Sequence, residues 1–152
     1  TIFRRAIEEN LINPHKMVQI GQRTTGYSAD DFEWVRQQGV RLVNAEECWY
    51  QSLTPLMAEV RETIGTETPV YLSFDIDGID PAFAPGTGTP EPGGLTNTQA
   101  IEIIRGCWGL NLVGSDLVEV SPQYDTTGNT ALLAANLVFE MLCSFPGCLR
   151  RD

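Results

Sequence analysis

Three aspartates lie together at the end of one apolar segment of this chain. Asp75, Asp77 and Asp80 close the run PVYLSFDIDGID and precede a loop rich in Gly, Pro and Thr. Side chains two positions apart on a strand point to the same side, so Asp75 and Asp77 should project together. Paired carboxylates repel unless one is protonated or a cation joins them, and hard divalent cations favour oxygen ligands. The pattern favours a metal site, although Asp-x-Asp is also common in solvated turns.

A second carboxylate, Glu119, lies in the run GSDLVEVSP between Gly114 and Pro122. This run is typical of a strand, and a carboxylate near the carboxyl end of a buried strand is costly unless a cation meets it. A salt bridge to an arginine such as Arg105 and the binding of a cationic ligand explain the segment equally well. The segment alone does not decide between them.

The aspartates need a strand to position them, and the β-branched, aromatic run before Asp75 is typical of a strand buried in a parallel sheet. Open α/β sheets build active sites at the carboxyl ends of such strands. Strand-like and helix-like segments alternate, which predicts an α/β fold with a mainly parallel sheet and helices on both faces. We predict strands at 17–21, 40–44, 69–75 and 112–120, and helices at 3–10, 28–38, 53–64, 96–108 and 129–143.

Composition restricts the partners. The chain has 152 residues, with 20 Asp and Glu against 10 Lys and Arg, for a net charge of −10. Nucleic acid and anionic membranes call for basic surfaces, so neither is expected, whereas a small cationic substrate is compatible with this charge. The four cysteines form no CxxC pair, which favours buried thiols in a reducing compartment, the cytoplasm or alternatively the mitochondrion. The chain begins without Met, and we expect a fragment of a longer protein.

The run SFDIDGIDPAFAPGTGTPEPGGLT resembles the third metal-binding signature of the ureohydrolase (arginase/agmatinase) family, with Pro81, Pro85, Gly86 and Gly94 in place. Its wording is most similar to the agmatinase and guanidinobutyrase branch, and DLVEVSP is also similar to the family. The resemblance covers the whole chain but only the carboxyl-terminal half or so of a family member. It implies an arginase-like three-layer α/β/α fold, with residues 1–152 forming the carboxyl-terminal part of a single ureohydrolase domain.

The resemblance also implies roles for individual residues. Asp75 would bridge two metal ions, Mn²⁺ by analogy, and Asp77 would ligate one of them. Glu119 would hydrogen-bond the substrate guanidinium, whose paired donors suit a carboxylate. Thr89 would line the site near the guanidinium, although a turn hydroxyl bonded within its own loop is about as compatible with the sequence. No residue of this chain is assigned as catalytic.

Five further residues carry weaker expectations. Asp80 is expected to brace its loop, and the lone histidine, His15, is expected at the surface. The remaining three are candidates for the pocket: Glu91 and Tyr124 for facing it, and Arg23 for binding a substrate carboxylate.

The reaction implied for a complete family member is metal-dependent hydrolysis of a guanidino compound, agmatine or 4-guanidinobutanoate, to urea and an amine. Family members carry further metal ligands and a histidine proton shuttle on motifs of the Gly-Gly-Asp-His and Asp-Ala-His-x-Asp type, and neither motif is present here. We therefore expect this chain alone to be inactive, and the alternative function is a non-catalytic one in binding or oligomerisation. A trimer or hexamer is what the resemblance suggests.

Overall fold

The computed structural model describes residues 2–23 and 30–148, and it places helices and strands alternately along the chain. Four strands are described: β1 Val18–Gln22, β2 Arg41–Asn44, β3 Pro69–Asp75 and β4 Asn111–Val118. The helices in the same ranges are α1 Ile2–Glu8, α2 Asp30–Gln37, α3 Ala45–Cys48, α4 Thr54–Ile64, α5 Asn97–Gly106 and α6 Asn129–Ser144.

The strands pair in parallel, as predicted. β1 pairs with β2, and β3 pairs with β4 in a register that sets Asp75 opposite Val118. A single parallel bridge between Ile79 and Leu95 continues the ordered backbone beyond the end of β3. The carboxyl ends of β3 and β4 therefore lie side by side, which is what brings their loops together.

The predicted elements are confirmed, with their described ends within two residues of those expected, and they differ in two respects. β4 ends at Val118 rather than at Val120, because Glu119 adopts a positive φ of 65° that no strand residue can hold. The short helix α3 was not predicted. It follows β2 directly and begins at a capping box formed by Asn44, so no turn or loop sequence separates the strand from the helix. The predicted start of α2 at Ser28 lies outside the described residues.

The core lies on one side of β3 and β4. Alternate residues of β3 (Val70, Leu72 and Phe74) face α4, α5 and α6, which pack over them with Met57, Ile104 and Leu137 fully or almost fully buried. The intervening residues Tyr71, Ser73 and Asp75 are exposed. One helical layer is thus in place, and the opposite face of this strand is uncovered in residues 2–23 and 30–148. No helix in these ranges has the length and apolar character needed to cross a membrane.

Candidate active site at the ends of β3 and β4

A 3₁₀ turn at Ile76–Gly78 sets Asp77 beside Asp75. Ile76 is completely buried and anchors the turn, and the Asp77 backbone N–H donates to Asp75 Oδ1 at 3.2 Å. The predicted proximity of the two carboxylates is therefore present, but its origin is different. Asp77 has left the strand, so the turn, rather than strand alternation, brings it back toward Asp75.

The electrostatics of this pair are strained. Partial removal of the Asp75 carboxyl from water, followed by repulsion from Asp77, raises the pKa of Asp75 from 3.8 to about 6, and the charge of Glu119 adds to the same effect. The residue keeps contact with solvent on the uncovered face of β3, so the cost is less than that of a fully buried carboxylate. A bound cation would reverse this cost, because it favours the charged form.

Thr89 holds the other side of Asp77. Its hydroxyl donates to Asp77 Oδ2 at 2.5 Å, so the Gly-Thr-rich loop folds back onto the carboxylate. Both residues belong to the connection between β3 and α5, so the expected place of Thr89 near a guanidinium stays a prediction. A short bond to a charged oxygen fixes the rotamer of Asp77, which leaves its remaining lone pairs in a defined direction.

Asp80 braces the long loop, as predicted. Its carboxylate accepts N–H bonds from Ala82 at 2.9 Å, Gly93 at 2.7 Å and Gly94 at 3.3 Å. Burial alone would raise the pKa of Asp80, but these three donors and the nearby Arg23 guanidinium lower it below its usual value. Glycine is required at position 94, because a Cβ there would lie 2.6 Å from the Asp80 backbone nitrogen.

Glu119 directly follows β4 and lies close enough to Asp75 for its charge to affect that pKa. Its left-handed φ of 65° is unusual for a non-glycine residue and typical of strained functional sites. The proposed salt bridge to Arg105 is wrong: Arg105 donates to Glu140 through Nε at 2.8 Å and Nη2 at 2.6 Å. The exposed side chain of Glu119 is thus left at the site with the aspartates.

Arg23 has a different role from the one expected. Its Nη1 donates to the carbonyls of Gly21 and Gly78, each at 3.0 Å, and its Nη2 donates to the Asp77 carbonyl. A guanidinium with these partners is not presented to a substrate carboxylate, so the expected contact with such a group is wrong. Sequence reasoning missed the backbone partners because a residue two positions after a Gly-ended strand carries no pattern that marks them.

The weaker candidates remain at the edge of the site or outside it. Tyr124 is 58% exposed in a 3₁₀ turn at Pro122–Tyr124, and Glu91 is half-buried, so their proposed roles stay predictions. His15 is confirmed as a surface residue, with its ring packed against Gly39.

The expectation of buried thiols holds for Cys48 and Cys107. It is wrong for Cys143 and Cys148, which lie near the end of the chain's last helix and are exposed.

The donor set fits part of a metal centre. Asp75 and Asp77 offer adjacent carboxylate oxygens, the ligand type that Mn²⁺ and Mg²⁺ prefer. Within residues 2–23 and 30–148, no group of three or more His, Cys, Asp or Glu side chains is arranged to hold a metal ion. Two carboxylates leave most of a cation's coordination unfilled, so a firmly held ion would need ligands from outside these ranges.

Comparison with known proteins agrees with this geometry. The chain is 70% identical over 151 residues to a guanidinobutyrase from Pseudomonas aeruginosa and 61% identical over 147 residues to a mitochondrial agmatinase from Gallus gallus. These matches cover 99% and 97% of the chain but 47% and 43% of the two relatives. The chain thus spans about half the length of the curated relatives it matches.

A solved structure shares the fold. Proclavaminate amidino hydrolase from Streptomyces clavuligerus superposes with a TM-score of 0.88 at 44% identity, over 94% of this chain and 47% of that one. The model of the arginase family matches residues 1–143. With parallel strands, paired aspartates after β3 and a glutamate after β4, this chain belongs to the arginase family.

Proposed function

We propose that a longer protein containing this chain hydrolyses a guanidino compound to urea and an amine with the help of bound Mn²⁺. The observation that carries the proposal is the meeting of Asp75, Asp77 and Glu119 at the carboxyl ends of two paired parallel strands. Its relatives named guanidinobutyrase and agmatinase support a guanidino substrate. We further propose that the protein acts in the cytoplasm, with the mitochondrion as the alternative, and that it forms a homo-oligomer.

Each residue has a separate task in this proposal. Asp75 and Asp77 hold the cation, and Thr89 keeps Asp77 in one rotamer through its 2.5 Å bond. When bound, Mn²⁺ lowers the pKa of a coordinated water, which makes hydroxide available near neutral pH. Glu119 binds the planar guanidinium through paired charge-assisted hydrogen bonds and so orients its carbon.

The far end of the substrate distinguishes agmatine from 4-guanidinobutanoate, since one carries an ammonium and the other a carboxylate. Arg23 is engaged by backbone carbonyls and is not offered to a carboxylate. We therefore propose that residues outside 2–23 and 30–148 select between these tails. Assay of both substrates with the longer protein decides which is used.

The test of Glu119 uses the longer protein loaded with Mn²⁺. Glu119→Gln should lower kcat/KM for urea release by about 10- to 100-fold, because an amide offers a neutral acceptor in place of a charged one. The matched control is Glu140→Gln, which changes a carboxylate of α6 that pairs with Arg105. Equal activity of Glu119→Gln and the unsubstituted protein, or no urea from the latter, would contradict the proposal.

A non-catalytic role in binding or oligomerisation is the second candidate. It is favoured by the uncovered face of β3 and by the incomplete ligand set in the described ranges. The two candidates differ in one assay. The 152-residue chain supplied with Mn²⁺ should release no urea from either substrate, and the longer protein should release it only under the hydrolase proposal.

A further inference from the structure

Arg23 connects two backbone segments beside the paired aspartates. Its guanidinium reaches from the end of β1, where it binds the Gly21 carbonyl, to the carbonyls of Asp77 and Gly78 in the turn after β3. The Gly78 carbonyl also accepts the Leu95 N–H at 3.0 Å. One side chain thus joins β1 to the aspartate turn, and the Gly78 carbonyl that it binds there also bonds the loop that returns to the turn.

Arginine suits this position better than lysine does. A guanidinium carries five donors in a planar fork, whereas a lysine ammonium is a compact point charge on a flexible stem. The Arg23 Nε is buried and has no hydrogen-bond partner, which is costly in a protein interior. The hydrogen bonds to carbonyls and the charge of Asp80 offset that cost. The partners of the two terminal nitrogens therefore hold the Arg23 side chain in place.

These contacts act on Asp77 from its backbone side. Arg23 binds the carbonyl of Asp77 and Thr89 binds its carboxylate, so the residue is fixed at both ends. Neither contact uses the Asp75 carboxylate, which stays beside Asp77 through the Asp77 N–H. Loss of the Arg23 contacts would free the turn at Ile76–Gly78 without removing either carboxylate.

We propose that Arg23 is a positioning residue that holds Asp77 in the orientation needed for cation binding, an inference that rests on the proposed function. It acts through backbone carbonyls and touches neither the cation nor the substrate. Partners that orient metal ligands in this indirect way typically change metal affinity by about 10- to 100-fold when they are removed.

The experiment measures Mn²⁺ affinity in the longer protein containing this chain. Free Mn²⁺ is followed by electron paramagnetic resonance during titration of the unsubstituted protein, Arg23→Lys, Arg23→Gln and Arg61→Lys. Arg61 is the matched control, because its Nη1 also donates to a backbone carbonyl, that of Gly106 at 2.5 Å, on the helical side of the fold. Thermal unfolding of the metal-free proteins reports their stability.

We expect the Mn²⁺ dissociation constant to rise by about 10- to 100-fold in Arg23→Lys and to stay unchanged in Arg61→Lys. At saturating Mn²⁺ the KM for the guanidino substrate should be preserved in Arg23→Lys, because Glu119 is untouched. A purely structural role for Arg23 would instead lower the melting temperature and leave the affinity of the folded protein unchanged.

Each outcome has a defined meaning. Unchanged Mn²⁺ affinity in the folded Arg23 variants, with an active unsubstituted protein, overturns the role of Arg23 and leaves the proposed function intact. An unsubstituted protein that neither binds Mn²⁺ nor releases urea overturns both. If Arg23→Lys does not fold, Arg23→Gln supplies the same comparison.

Discussion

At the scale of single residues, the ionised carboxylates of Asp75 and Asp80 have opposite effects on the stability of the fold. Asp75 lies beside Asp77 and Glu119, and its pKa is raised to about 6. Asp80 accepts three backbone N–H bonds, and its pKa is lowered. Asp75 is therefore unfavourable to the metal-free fold when ionised, a common property of residues that serve a site, and Asp80 is favourable.

The first prediction concerns the pH dependence of stability without metal. The pKa of Asp75 is about 6 in the folded chain, against its ordinary value of 3.8. Unfolding therefore releases a proton between these pH values, and stability falls as pH rises through them. Asp75→Asn should therefore be more stable than the unsubstituted chain above pH 6, with the difference vanishing below about pH 4. Urea denaturation with EDTA from pH 3 to 8 measures this.

The control for that prediction is Asp80→Asn, for which the sign is reversed. Because the pKa of Asp80 is lowered in the folded chain, its stabilisation is present above the unfolded pKa and is lost as pH falls through the folded one. Asp80→Asn should therefore be less stable than the unsubstituted chain at pH 7. A less stable Asp75→Asn at pH 7 would disprove the assignment of Asp75 as a strained carboxylate.

At the scale of elements, the start of α4 depends on a side chain from α5. Leu53 precedes α4 and has no side-chain cap to offer. The carboxylate of Glu102 on α5 supplies the cap instead. It accepts the N–H of Leu53 at 2.9 Å and the N–H of Thr54 at 3.1 Å. It also accepts the Thr54 hydroxyl at 2.7 Å and the Ser52 hydroxyl. One carboxylate thus satisfies donors at a helix start and joins two of the helices that cover β3.

Removal of this cap should destabilise the chain. Glu102→Ala removes the acceptor of the Leu53 N–H and one of the two acceptors of the Thr54 N–H, which also bonds Ser52 Oγ at 3.2 Å. We expect the free energy of unfolding to fall by about 1–2 kcal/mol. The control is Glu59→Ala, since Glu59 forms an exposed pair with Arg41 and such pairs contribute about 0–1 kcal/mol. Urea denaturation at pH 7 compares the two, and a Glu102→Ala chain as stable as Glu59→Ala would contradict the capping role.

At the scale of the whole molecule, apolar surface is divided unequally between covered and uncovered faces. Leu137 and Met141 of α6 are buried against α5 and the sheet. On the outer side of the same helix, Leu132, Phe139 and Leu142 are exposed, as is Tyr71 on the uncovered face of β3. This chain spans about half the length of its relatives, and within residues 2–23 and 30–148 the packed core lies on one side of β3 and β4.

The two sides of α6 should therefore respond differently to truncation in the 152-residue chain. Leu137→Ala removes a fully buried side chain and should cost about 2–5 kcal/mol of unfolding free energy. Because Phe139 is 61% exposed, Phe139→Ala should lower the free energy of unfolding by less than about 1 kcal/mol. Thermal and urea denaturation of both variants test this, and a Phe139→Ala chain as unstable as Leu137→Ala would show that the outer face is covered.

Local patterns were enough for most elements, and they also singled out carboxylates that the structure brings together. The β-branched, aromatic run before Asp75 marked β3, and Thr96 marked the start of α5, because these signals depend on neighbours in sequence. The turn at Ile76–Gly78 was missed, since its conformation follows from the burial of Ile76 in a core assembled by distant helices. The positive φ of Glu119 was also missed.

By itself, the sequence singled out carboxylates that the structure brings together, and it determined the α/β class with parallel strands and the resemblance to a family. Only the tertiary structure decided what each charged group meets. It gave Arg105 to Glu140 rather than to Glu119, and it turned Arg23 toward the carbonyls of the aspartate turn. The physical reason is range: backbone propensities act over a few residues, whereas hydrogen bonds and ion pairs join residues that are distant in sequence and meet only after the chain has packed.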